Sequence, residues 1–244
     1  MRYKNDLKRK LNLSFLDVTN KTTCVGQYDL PKLYCDPAEY PDYLALYSQP
    51  CEYHKTERTG VCFYNYDDKF DGRNGLYQAI YWNDTKRLDE FRQRFKGVKY
   101  FISPDYSECG DIQQYHNLHR LGRSRETALW LTLNVEATVI PNMPCCRESD
   151  LQFFCDGLEE VTVVAFSTQG RFTAPRDLDL LRRSILVSLD KLSKLKAVIV
   201  YDTSASENAL NDLFSPVTEK GLKLIVPDNL LKTINRRRSQ NVQF

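Results

Sequence analysis

The sequence lacks any apolar run long enough to cross a membrane, which takes ~18 or more residues. Its longest apolar stretches are strand-sized, such as Val161-Thr162-Val163-Val164-Ala165-Phe166. The charged opening MRYKNDLKRKLNLSF is not followed by the apolar core of a secretory signal. These absences give the expectation of a cytoplasmic protein with no membrane partner. Histidine is scarce, with three residues at His54, His116 and His119, none at the end of an expected strand. The chain also has no G-x-S-x-G, H-E-x-x-H or G-x-G-x-x-G. A Ser-His-Asp triad, a zinc protease helix and a dinucleotide loop therefore have no support. The formal net charge of +2 is too small to mark a nucleic-acid-binding chain by itself. Among eight cysteines there is no C-x-x-C pair. The nearest thing to a metal pattern, Cys24, Cys35, Cys51 and His54, keeps only a C-x-x-H ending, which points away from zinc. In a reducing compartment these thiols are expected free, as small, soft core residues.

What is present is an ordinary globular composition, 42% hydrophobic and 27% charged over 244 residues. Residues 1–60 hold seven tyrosines and Pro31, Pro37, Pro41 and Pro50 without a clear period. They read as an N-terminal extension packed on a core. The core is expected over 61–238, with 239–244 as a tail. From residue 61 a regular beat sets in. Short runs rich in Val, Ile, Phe and Tyr at 61–64, 98–102, 137–140, 161–166, 197–201 and 222–226 predict strands buried on both faces. Helices are predicted over 74–95, 111–134 (with a break near Gly122), 150–155, 175–195, 206–214 and 229–237. The 175–195 segment is the clearest, with proline at its start and apolar residues every three or four positions. Strands alternating with helices give an α/β fold of mostly parallel βαβ units. The expected architecture is a partial or irregular barrel, with an open doubly wound sheet as the alternative.

In both architectures the ligand site lies at the carboxyl ends of the strands. Those ends are polar throughout: Asn65-Tyr66-Asp67-Asp68, Ser103-Pro104-Asp105-Tyr106-Ser107, Pro141-Asn142, Ser167-Thr168-Gln169-Gly170, Asp202-Thr203-Ser204 and Pro227-Asp228. Such residues also suit turns and helix caps. Several carboxylates converging on one rim need an offset by cations, protons or metal. Asp67, Asp68, Asp105 and Asp202 would suit Mg²⁺ or Mn²⁺. Ser107, Ser167 and Thr168 would bond phosphate or sugar. On a helical wheel Arg125 shares a face with Leu118, Leu121 and Leu129, while Arg123 lies opposite with His116, His119 and Arg120. An arginine within an apolar stripe must snorkel or find an anion. Cys145-Cys146 is a candidate reactive pair. The clusters Lys8-Arg9-Lys10 and Arg236-Arg237-Arg238 could touch a nucleic-acid backbone.

The stretches GQYDLPKL (26–33), FYNYDDKF (63–70), YFISPDYS (100–107), RSRETALW (123–130), TVIPNM (138–143), FFCDG (153–157), VVAFSTQG (163–170) and AVIVYD (197–202) together resemble a domain-of-unknown-function family of bacterial, phage and mobile-element proteins. The resemblance implies Asp67 or Asp68, Asp105, Ser107, Arg123, Arg125, Asn142, Asp156, Ser167 and Thr168 as characteristic polar positions. Pro144-Cys145-Cys146 departs from the family's turn, and Asp202 stands where a glycine is common. The resulting expectation is a rim pocket for a phosphate-bearing ligand, a nucleotide or nucleic acid. Metal-assisted phosphoester or glycosidic chemistry would fit it. Asp67, Asp68, Asp105 and Ser107 would be the catalytic set, with Asp67 and Asp105 as ligands of any Mg²⁺ or Mn²⁺. Arg123, Arg125, Asn142, Ser167 and Thr168 would bind the ligand. The alternatives are a non-catalytic binding module and an interaction protein that uses the tyrosine-rich segment.

Overall fold

In a computed structural model of the chain, residues 13, 16–144, 147–203 and 206–241 are described. Cys145, Cys146 and the Lys8-Arg9-Lys10 cluster lie outside them. In chain order the elements are α1 (Leu16–Thr19), β1 (Cys24–Val25), β2 (Leu30–Pro31), β3 (Tyr43–Leu46) and β4 (Thr59–Cys62). Then come α2 (Asp67–Phe70), α3 (Leu76–Trp82), α4 (Thr85–Arg94), β5 (Tyr100–Ile102), α5 (Gln114–Val135) and β6 (Thr138–Ile140). The second half holds β7 (Val163–Ser167), α6 (Pro175–Lys191), β8 (Ala197–Tyr201), α7 (Glu207–Glu219), β9 (Lys223–Ile225) and α8 (Leu230–Asn241). Arg236, Arg237 and Arg238 fall on α8.

Strands β3-β4-β5-β6 form one sheet and β7-β8-β9 a second, parallel throughout. The small β1-β2 pair is antiparallel. The two parallel sheets meet at both edges through single bridges, Asn142 with Ala165 and Tyr43 with Asp228. At the first seam Ala165 N donates to Pro141 O at 2.8 Å and Met143 N to Ala165 O at 2.9 Å. At the second, Leu44 N donates to Asp228 O at 2.8 Å and Asp228 N to Asp42 O at 3.0 Å. The architecture is therefore α/β with a partial, irregular barrel, joined by bridges rather than by continuous ladders. Val61, Phe101, Ile140, Val164 and Ile199 are fully buried in its core, as short continuous apolar strands require.

Several expected boundaries move. The limit at residue 60 cuts through β4, and β3, drawn from the segment expected to be an extension, belongs to the sheet. The sequence around β3 is rich in tyrosine and proline, which hid its Leu44-Ala45-Leu46 run. The expected 74–95 helix is two helices. Asn83 takes a left-handed φ of 50° that ends α3, and Asp84 caps α4 by accepting from Arg87 N at 3.2 Å. Conversely α5 runs unbroken through Gly122 and ends only where Glu136 turns left-handed. The segment near 150 is a short 3-10 helix, Glu148–Gln152.

The arm carrying β1 and β2 docks on residues 153–157. Leu33 N donates to Gly157 O at 2.9 Å, and Tyr28 meets Phe153 edge to face. Gly157 has a φ of 81°, and a Cβ there would sit 2.8 Å from Pro31 O. A Cβ at Gly26 would collide with the Asp156 carboxylate. The stretches GQYDLPKL and FFCDG are thus two halves of one docking contact, with Asp156 packed against the arm. Gly157→Ala is expected to lower unfolding free energy by about 1–3 kcal/mol. Gly122→Ala, in open space on α5, should leave it unchanged or raise it by roughly 0.5–1 kcal/mol. Urea denaturation of the two variants measures both, and equal effects would contradict the docking account.

Candidate functional site

The carboxyl ends of β4, β5, β6 and β7 surround a cavity of about 330 Å³ beside the first seam. Its walls include Tyr64, Tyr66, Asp105, Asn142, Ser167 and Arg171. Each arrives by a local rule. Pro104 keeps Ser103 extended and ends β5, so Asp105 emerges at the rim. Asn142 follows Pro141 at the end of β6 and is held by the seam bridge. Ser167 closes β7, and the turn after it, with Gly170 at a φ of 73°, delivers Arg171. Asp177 and Ser184 reach the cavity from α6.

Asn142 organises the floor. Its backbone N donates to Ser103 Oγ at 2.9 Å, its Nδ2 donates to Asp105 Oδ1 at 2.8 Å, and its Oδ1 accepts from Tyr64 OH at 2.9 Å. Tyr64 in turn stacks on Tyr201, with ring centroids 4.9 Å apart. Burial drives the Asp105 carboxyl up to about 6. The Arg171 charge and the Asn142 hydrogen bond oppose that rise, and the Asp67 charge adds to it. Burial also raises the Tyr64 hydroxyl well above its usual range, so it stays a neutral donor.

The expected residues divide into two groups. Asp105, Ser107, Asn142 and Ser167 line the cavity. Asp67 sits just behind it, where its Oδ1 accepts from Ser107 N at 2.9 Å and Ser107 Oγ at 2.8 Å. It braces the loop that carries Asp105. Asp68 does not join them: it is exposed and pairs with Lys69 at 3.0 Å. Thr168 is turned inward, donating to Asp202 Oδ1 at 3.0 Å, and ties the end of β7 to that of β8.

Both expected arginines serve structure instead. Arg123 pairs with Asp71 and lies between the Tyr77 and Tyr106 rings, 4.4 and 4.3 Å from their centroids. It is half-buried rather than on a solvated face. Arg125 is fully buried and donates to Phe154 O at 2.9 Å, and burial lowers its guanidinium to about 10. It anchors the loop on which the β1-β2 arm docks. Among the described residues no group of three or more His, Cys, Asp and Glu is placed to hold a metal ion. Among the described residues, the Oδ2 atoms of Asp67 and Asp105 have no hydrogen-bond partner.

Arg171 is the residue that motif reading passed over. It lines the cavity across from Asp105, and its guanidinium has no hydrogen-bond or ion-pair partner among the described residues. The signal was its place directly after the polar Ser167-Thr168-Gln169-Gly170 turn. Ser167 Oγ accepts from Gln169 N at 3.2 Å, which leaves its own hydroxyl hydrogen to donate. The site can therefore offer a cation, hydroxyl and amide donors, and a carboxyl that exchanges its proton near neutrality.

An α/β partial barrel with a polar pocket on its carboxyl rim is the class defined by fold and site. The family model described as "Domain of unknown function (DUF4417)" matches residues 22–217, and the chain belongs to that family. A crystal structure from Anabaena variabilis ATCC 29413, described as a candidate sugar phosphate isomerase/epimerase, is similar at 11% identity, with a TM-score of 0.38. That likeness covers 74% of this chain and 64% of the other. No curated protein matches the chain.

Because Asp105 carries a raised proton affinity in the folded state, its ionisation opposes folding. The penalty is absent below about pH 4, where both states are protonated, and complete above about pH 6. Asp105→Asn keeps an acceptor for Asn142. It should therefore be more stable than wild type by about 1–2 kcal/mol at pH 8 and equal to it near pH 4. Thermal unfolding at the two pH values checks this, and a difference independent of pH would count against the buried-carboxylate account.

Proposed function

We propose that the rim pocket binds a phosphate-bearing ligand, with Arg171 as the anion anchor and Asp105 as the proton-exchanging group. The observation that carries this reading is the Arg171 guanidinium, without a hydrogen-bond or ion-pair partner among the described residues, in the wall of a cavity shared with Asp105. A guanidinium presents parallel donors that match phosphate oxygens. Ser167 supplies a further donor, and Asn142 and Tyr64 fix the carboxyl. Asp105 at about 6 is suited to take a proton from an attacking water in phosphoester or glycosidic cleavage. Mg²⁺ is commonly held by one or two carboxylates plus substrate phosphate. The Oδ2 atoms of Asp67 and Asp105, without partners among the described residues, support a metal-assisted form of the same reading, with Mg²⁺ or Mn²⁺ arriving alongside the ligand.

A non-catalytic binding module is the second reading. It is favoured by the commitment of Asp67 to Ser107, which takes Asp67 away from acting beside Asp105. The two differ in whether Asp105→Asn removes turnover or only retunes binding. The cytoplasmic placement and the phage or mobile-element setting belong to this same proposal. Free thiols at Cys35, Cys62 and Cys155 in the core suit a reducing compartment. No helix of the described residues is long and apolar enough to cross a membrane.

Calorimetric titration with inorganic phosphate, with and without Mg²⁺, tests the reading. Arg171→Ala is expected to weaken phosphate binding by roughly 10–100-fold, while Asp68→Asn leaves it unchanged. Wild-type protein that takes up no phosphate, or an Arg171→Ala variant that binds as tightly, would refute it.

A further inference from the structure

We infer that the rim pocket takes a nucleoside phosphate whose base stacks on Tyr66, an inference that rests on the phosphate reading above. Tyr66 lines the same cavity as Arg171 and is 82% exposed. Its neighbours Phe63, Tyr64 and Phe70 are all buried, so this ring alone in the segment is turned out of the core. Its backbone is extended, with φ −60° and ψ 146°, immediately before α2, and Tyr66 O accepts from Lys69 N at 2.9 Å. The ring is thus carried on a fixed stem. Among the described residues it has no ring contact and no side-chain hydrogen bond. The other large exposed side chains, including Tyr34, Trp82, Tyr115 and Phe172, do not line this cavity.

The walls sort by chemistry. Arg171 and Ser167 offer donors for phosphate. Met143, Pro144 and Leu181 give an apolar surface, and Tyr66 gives a flat π-face at the mouth. A ligand that satisfies all three carries an oxygen-rich anion and a planar ring in one molecule. Sugar phosphates lack the ring, and for them Tyr66 would have no partner. Every nucleobase presents a π-face, so a lone aromatic platform accepts bases with little regard to identity. The volume of about 330 Å³ lies at the small end of ligand sites, which suits a single nucleotide unit.

Calorimetric titration of the full chain with AMP, GMP, CMP, UMP, ribose 5-phosphate and inorganic phosphate tests the inference. Nucleoside monophosphates are expected to bind wild type about 10-fold or more tighter than ribose 5-phosphate does. Tyr66→Ala should erase that preference while leaving ribose 5-phosphate and phosphate affinities as they were, and Tyr66→Phe should preserve it. Since Tyr66 is exposed, neither variant disturbs the core. Equal affinity of wild type for nucleotides and ribose 5-phosphate would overturn the stacking inference and leave the phosphate reading standing. A preference that survives in Tyr66→Ala would also overturn it. Absence of binding by every one of these ligands would overturn both.

Discussion

Asn142 stands where the two parallel sheets meet, and the site is built from how its hydrogen bonds are satisfied. Its backbone lies at the bridge to Ala165, where a partial barrel has no ladder to hide behind. A buried amide left unpaired there would cost about 1–3 kcal/mol. The structure meets that demand with Ser103 and Asp105 from the end of β5 and Tyr64 from the end of β4. The contacts that satisfy Asn142 beside the seam therefore also hold a carboxyl and a phenol at the cavity wall. The carboxyl end of the seam is where backbone pairing stops and side chains must take over. That is the physical reason a pocket forms there.

The arginines show how partners separate scaffold from site. Arg123 is half-buried and Arg125 fully buried, and each is held by the protein itself: Asp71 and two tyrosine rings for one, the Phe154 carbonyl for the other. A desolvated guanidinium without such partners would destabilise the fold. Arg171 is half-buried, faces a cavity and has no such partner among the described residues. A charge held in this way costs little while water fills the pocket, and its fork is available to an incoming anion. Burial raises the Asp105 carboxyl to about 6, so its negative charge, which opposes that anion, is lost as pH falls through that value.

The strands were legible because parallel strands buried on both faces leave continuous apolar runs; each expected run became a strand, although β9, at the edge of its sheet, is only partly buried rather than covered on both faces. Their polar carboxyl ends correctly placed Asp105, Asn142 and Ser167 on one rim. What the sequence concealed depends on distance along the chain. Arg123 meets an aspartate 52 residues away, so no local pattern separates it from a ligand-binding arginine. Asp67 and Asp68 are adjacent, yet one braces Ser107 and the other reaches Lys69 at the surface. Only the direction of the side chain on α2 distinguishes them. The strand β3 was masked by flanking tyrosines and prolines, although Leu44 and Ala45 are fully buried. Thr168 read as a ligand donor because its inward partner, Asp202, lies on a different strand end.

The central claim is that an anion bound by Arg171 and the ionised Asp105 carboxylate share one pocket and oppose each other. Sulfate keeps a constant charge from pH 5 to 8, so its affinity reports the state of the protein alone. Titrating sulfate into wild type and Asp105→Asn across that range measures the coupling directly, because linkage makes each site's free energy depend on the other. The account predicts wild-type affinity that strengthens as pH falls through about 6 and an Asp105→Asn affinity that stays flat. Sulfate affinity that is independent of pH in wild type, or that changes identically in the variant, would contradict it.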